Sequence, residues 1–259
     1  MMKVSYIYHS GFMVETESAT LLFDYFKGEL PAFPVDKPLI VFASHKHKDH
    51  FSFRVFEPEN HPGGVSYIFG NDIKFTDRYL ERHGIDPGVK DNIIRMQPHT
   101  TLELPISVPG QEKERSSIKI HTLKSTDAGV AFCVQTAEGC IFHAGDLNWW
   151  HWSGETEEFN RGQEKAYQAE IQYLKTWLEK EQVNVVDAAF LPLDPRLGEA
   201  YAFGADYFLG HIPVKMVYPM HMWDDYDVVN RYIAHCEADG EKTLQAFKIC
   251  EHSFFTKQT

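Results

Sequence analysis

The chain has 259 residues, 43% of them hydrophobic and 24% charged, enough for one large domain with an ample core. Its formal charge of −12 and lack of a basic run count against a nucleic-acid binder, which needs a basic face to neutralise phosphates. No apolar run approaches the ~18–20 residues of a membrane helix, and Met1–Tyr6 lacks the apolar core of a signal peptide, so a cytoplasmic location without a membrane partner is expected.

In chain order, Lys3–Val14, Thr20–Tyr25 and Pro38–Ser44 read as strands. A short helix is predicted over Asp49–Phe56, a strand over Val65–Gly70 and a helix over Thr76–Gly84. Strands follow at Asn92–Met96, Thr100–Leu104, Ser117–Leu123, Gly129–Thr136 and Gly139–His143, with a hairpin signal at Gln135–Gly139. Asn160–Glu181 carries Tyr167, Ile171, Leu174 and Leu178 at helical spacing. Gly198–Gly210 and Tyr226–Ala238 are further helix candidates, and Val183–Pro192, Met216–Pro219 and Leu244–Glu251 are strand-like. Loops are expected at Pro31–Pro38, Glu57–Gly64 and Pro105–Ser116, the last holding the charge-balanced Gln111–Arg115. There is no repeat or linker, so 1–259 is read as a single α/β domain in which sheets pack face to face under helices. Cys133, Cys140, Cys236 and Cys250 read as free core thiols, with a cross-strand Cys133–Cys140 disulfide as the alternative.

The densest chemistry is His45-Lys46-His47-Lys48-Asp49-His50, immediately after an apolar strand. Imidazole and carboxylate are the donors that Zn²⁺, Mn²⁺ and Fe²⁺ take. Residues two apart can point to one side and grip one ion, while Asp49 and His50, being adjacent, suit a second. Further donors stand at strand ends: Asp146 after Gly139–His143, and His221 after Met216–Pro219. Between Ser117–Leu123 and Gly129–Thr136, either Asp127 or His121 can complete the first site. Asp127, in the loop at the strand end, is preferred. His9, in the turn after the first strand, and Trp149 and Trp150, just after Asp146, are candidates for a substrate pocket. Arg196 either anchors an anionic group or pairs with Asp194. His143 reads as support or packing and His211 as a helix-end group; His99, His235 and His252 lack context.

This pattern resembles the metallo-β-lactamase fold superfamily. Tyr8-His9-Ser10-Gly11-Phe12 followed by Leu21-Leu22-Phe23-Asp24 is similar to the start of its lactonase-like, metal-dependent hydrolase branch. The resemblance implies a four-layer αββα sandwich with two divalent ions, Zn²⁺ first and Mn²⁺ or Fe²⁺ as alternatives. It implies His45 and His47 at one metal, Asp49, His50 and His221 at the other, and Asp146 between them. The family's usual middle histidine is missing: Ser125-Thr126-Asp127 stands there, and Asp127 would replace it. The implied activity is hydrolysis of a small ester, lactone or amide by a bridging hydroxide that Asp49 orients. A phosphodiesterase or nuclease and a non-catalytic metal-binding module are the alternatives. Di-iron oxidative members carry Glu where His47 stands, which argues against that branch.

Overall fold

The computed structural model describes residues 2–106, 116–238 and 247–256. The fold is mixed α/β, with two sheets and flanking helices. Contacts gather into two compact units: Met1–Thr122 with Ala128–Val130 and Val134–Glu138, and Leu123–Asp127 with Ala131–Cys133 and Gly139–Thr259.

The first unit holds a six-stranded sheet in chain order: β1 (Lys3–Tyr8), β2 (Gly11–Glu15), β3 (Thr20–Phe23), β4 (Leu39–Ala43), β5 (Val65–Gly70) and β6 (Ile93–Met96). The first three pair antiparallel and the rest parallel. Every residue of β4, Leu-Ile-Val-Phe-Ala, is buried, as a parallel strand covered on both faces requires. Leu22, Val41, Tyr67 and Phe69 build the core on one side of this sheet, together with Leu80 of helix α1 (Asp77–Arg82).

The second sheet runs β7 (Thr101–Ile106), β8 (Ser116–Lys124), β9 (Val130–Thr136), β10 (Gly139–His143), β11 (Val186–Pro192), β12 (Val214–Met220) and β13 (Lys248–Ile249). From β10 to β13 the pairing is parallel. Helix α2 (Glu157–Lys180) starts at Thr156, whose side chain accepts from the Phe159 N–H; Glu157 and Glu158 occupy its first turn and Lys180 its last, complementing the helix dipole. It buries the predicted stripe of Tyr167, Ile171, Leu174 and Leu178. Helices α3 (Phe203–His211), α4 (Val228–Ala238) and α5 (His252–Thr256) follow in the second unit. Among the described residues no helix is long and apolar enough to cross a membrane.

Several boundaries differ from the sequence reading. Lys3–Val14 is two strands, because the chain reverses at His9, whose φ is 56°. The helix expected over Asp49–Phe56 shrinks to a 3₁₀ turn at Phe53–Phe56: the single turn that closes on the His47 carbonyl does not continue, because Ser52 is extended, at φ −143° and ψ 167°, and caps the next turn by accepting the Arg54 N–H. Gly198–Gly210 is not one helix: Gly198 takes φ 60°, and α3 begins only at Phe203. Of Leu244–Glu251, only Lys248–Ile249 is strand, and 244–246 lie outside the described residues, as does Gln111–Arg115. Cys133 and Cys140 are free, with Sγ atoms 3.5 Å apart, and the neighbouring thiol and burial together push the Cys133 thiol well up.

Two glycines crowd the carbonyl of Ser44, just past β4. A Cβ at Gly70 would lie 2.2 Å from that oxygen, and one at Gly129 2.1 Å from it and 2.4 Å from His45 Cβ. Gly129 also has φ +68°, costly for any side chain. Gly129→Ala should therefore cost about 2–4 kcal/mol. Gly64→Ala, with φ +84° but nothing within 4 Å, should cost only about 1–2 kcal/mol. Urea denaturation of the two variants checks this; equal losses would contradict the clash.

Candidate metal centre

In the first unit, β3 and β4 are parallel with Phe23 opposite Phe42, so both strands deliver their next residues to one edge. Asp24 follows β3; Ser44 and His45 follow β4. Asp24 is fully buried, and a buried carboxylate is tolerated only when its oxygens are satisfied. Its Oδ1 accepts the Ser44 N–H at 2.7 Å, and its Oδ2 accepts the Ser44 hydroxyl and His50 Nδ1, each at 2.7 Å. Ser44 Oγ lies 3.0 Å from His45 Nδ1. The serine proton being given to Asp24, that oxygen receives the His45 Nδ1 proton. Both imidazoles are thereby set in the tautomer whose Nε2 carries a lone pair, the form a metal takes.

The loop around these rings collects further donors. The His45 and His50 rings are 4.3 Å apart and those of His45 and His47 4.6 Å. His9 is buried, and its Nε2 is 3.8 Å from Asp49 Oδ2. His9, Asp49 and His50 offer ligand atoms within 4.8 Å of one another, as do His45 and His50.

The second unit repeats the device. β10, β11 and β12 are parallel, with His143 opposite Phe190 and Phe190 opposite Tyr218, and Asp146, Asp194 and His221 follow their C-terminal ends. Asp194 is fully buried. It accepts His221 Nδ1 at 3.0 Å, the Arg196 N–H at 2.9 Å and the Arg196 guanidinium. Burial alone would raise this carboxyl; the hydrogen bonds from His221 and Arg196 outweigh it and hold the pKa at about 2. With Nδ1 bound to Asp194, His221 turns Nε2 toward Asp146, 3.4 Å from its Oδ1. Thr126 Oγ1 donates to the Asn148 carbonyl at 2.6 Å and accepts its N–H at 3.0 Å. This ties down the turn that bears Asp127, which offers a ligand atom within 4.8 Å of one from Asp146. His121, on β8 in the first unit, has Nδ1 2.8 Å from Thr101 Oγ1.

The aromatic candidates divide. Trp150 is buried, donates Nε1–H to the Asp146 carbonyl at 3.0 Å and sits 5.6 Å from the His221 ring. Trp149 turns to Phe203 and Tyr207 of α3 instead. The Arg196 guanidinium is engaged with Asp194 and lies 4.3 Å from the Trp223 ring, the arrangement of a loop-fixing pair.

Sequence reasoning gave Asp24 and Ser44 no role in the site and Asp194 none beyond the Arg196 pair. Each follows an apolar strand directly or by one residue, the one signal that could have raised them. The donor set, nitrogen and carboxylate oxygen with rings already oriented, fits Zn²⁺, Mn²⁺ or Fe²⁺.

This fold and donor set define the metallo-β-lactamase class. The family model described as "Beta-lactamase superfamily domain" matches residues 3–161, and the chain belongs to that family. No curated protein matches by sequence. Among solved structures, the diiron β-hydroxylase CmlA from Streptomyces venezuelae superposes with TM-score 0.57 at 12% identity, over 96% of this chain. This chain spans about half of CmlA (53%). Igni18, a metallo hydrolase from Ignicoccus hospitalis, gives 0.52 at 15% identity, covering 96% of this chain and 94% of that one. The metallo-beta-lactamase fold protein YhfI from Bacillus subtilis gives 0.52 at 12%, covering 97% and 98%. At these identities the likeness is one of fold.

Two outcomes follow. Asp24→Asn should weaken Zn²⁺ affinity about 10–100-fold, the usual effect of losing a carboxylate behind a ligating histidine, as read by chelator competition. Asp194 has its pKa depressed from 3.8 to about 2, so its stabilisation is present above pH 3.8 and lost as pH falls through about 2. The difference in melting temperature between the unsubstituted chain and Asp194→Asn should be full above pH 4 and shrink below it. A difference independent of pH would contradict an ionised Asp194.

Proposed function

We propose that the chain is a metal-dependent hydrolase that cleaves a small ester, lactone or amide with two divalent ions, Zn²⁺ or alternatively Mn²⁺ or Fe²⁺. The observation that carries this reading is the pair of buried carboxylate–histidine bonds, Asp24–His50 and Asp194–His221. A histidine needed only for packing has no use for a fixed lone pair; a ligand does. In this reading, which takes its ligand set from the family resemblance, His45, His47, Asp49, His50, Asp127, Asp146 and His221 would hold the ions.

Bound there, the ions would bring the pKa of a water toward neutrality and polarise the scissile carbonyl. The chain supplies the rest. Asp49, half-buried and facing His9, takes the water's proton and returns it to the leaving group. His9 steadies the carboxylate. Trp150 gives an apolar wall beside His221 and keeps bulk water away, and Arg196, paired with Asp194, lies over the Trp152 ring that stacks on Trp150. The acidic chain suits a small-molecule substrate better than nucleic acid.

The test loads the purified chain with Zn²⁺, Mn²⁺ or Fe²⁺ and offers a lactone, an aryl ester, an amide and a bis-aryl phosphodiester. Turnover of a carbonyl substrate should saturate as two ions bind. Asp49→Asn should lower kcat about 10²–10⁴-fold, and His50→Ala should lose an ion. Preference for the phosphodiester would favour the phosphodiesterase reading, and two ions without turnover a binding module.

A further inference from the structure

The loop that carries His45, His47 and His50 also carries Lys46 and Lys48, and these two lysines line a separate pocket of about 530 Å³ within the first unit. None of the three histidines lines it. The volume is that of a small-molecule site. Lys74 joins the two loop lysines, and Phe51, Phe53 and Phe75 form an aromatic wall. The Phe51 and Phe75 rings are nearly parallel, at 7°, and Phe53 meets Phe75 at 60° with centroids 5.9 Å apart.

We propose that this pocket binds a small molecule joining a flat ring to a phosphate. The fixed charges point to a dianion. Lys46, Lys48 and Lys74 are exposed and make no ion pair among the described residues. Arg54, also at the pocket, is committed to Glu57 at 2.6 Å and to the Gly28 carbonyl at 2.8 Å. Asp72 is the one other carboxylate at the rim and accepts the Lys46 backbone N–H. Three lysines less one aspartate leave a surplus of two positive charges, matching a phosphate monoester at neutral pH. Such a cluster is out of character for a chain of net charge −12 and gives an anion a local reason to stop here. Lysines serve phosphate as compact point charges, while the aromatic wall offers a ring a surface to pack on. The inference does not depend on the hydrolase reading, since no proposed ligand lines the pocket.

The test is isothermal titration of the full chain with adenosine monophosphate, adenosine and inorganic phosphate, each with and without added Zn²⁺. The nucleotide should bind at least about tenfold tighter than either part alone, independently of Zn²⁺. Lys46→Gln/Lys74→Gln, checked for an unchanged melting temperature, should lose about tenfold or more of that affinity, and added salt should weaken it. No nucleotide binding at millimolar concentration would overturn the proposal. So would binding that the lysine substitutions leave intact, binding that requires Zn²⁺, or inorganic phosphate binding as tightly as the nucleotide.

Discussion

A buried carboxylate must find donors for its oxygens, and Asp24 finds them in the groups the site needs held. Its two oxygens take the Ser44 backbone N–H, the Ser44 hydroxyl and His50 Nδ1. Leaving such a charge partly unsatisfied costs several kcal/mol, so the fold and the ring orientations are secured together. Asp194 meets the same constraint with His221 and Arg196. In each unit a buried imidazole is positioned by a carboxylate at the end of a neighbouring parallel strand.

The backbone around these groups is held in conformations that ordinary residues avoid. His9, Asp24 and His221 have φ of 56°, 42° and 64°. Such positions persist only where the surroundings over-determine them, and they concentrate at functional sites. The dense parallel strands beside them provide that support: β4 is buried throughout, and Gly70 and Gly129 let neighbouring backbone close on the Ser44 carbonyl. Rigid strand ends and strained turns thus hold the donors of each unit in place.

Much of this was legible beforehand because local signals were strong. The apolar run before His45, the helical stripe from Tyr167 to Leu178 and the His/Asp hexapeptide each announce themselves within a few residues. Where the reading slipped, the deciding contact was not local. Lys3–Val14 splits because His9 takes a left-handed turn that brings Gly11 opposite Tyr8. The helix expected from Asp49 breaks because Ser52 is extended and caps the following turn instead. Trp149 and Trp150 are adjacent and alike in composition, yet one faces α3 and the other His221; the course of the chain after Asp146 separates them.

The sequence by itself determined the class of fold and which side chains could bind metal, since both follow from apolar periodicity and the donor chemistry of a few clustered residues. It also set the acidic balance, a formal charge of −12. Only the tertiary structure decided that Asp24 and Asp194 stand behind His50 and His221, and that Lys46, Lys48 and Lys74 share one rim. Those pairings depend on strand register and on residues 26 and 27 positions apart being brought within hydrogen-bonding distance. No short-range pattern carries that information, because parallel strands meet only after the chain between them has folded.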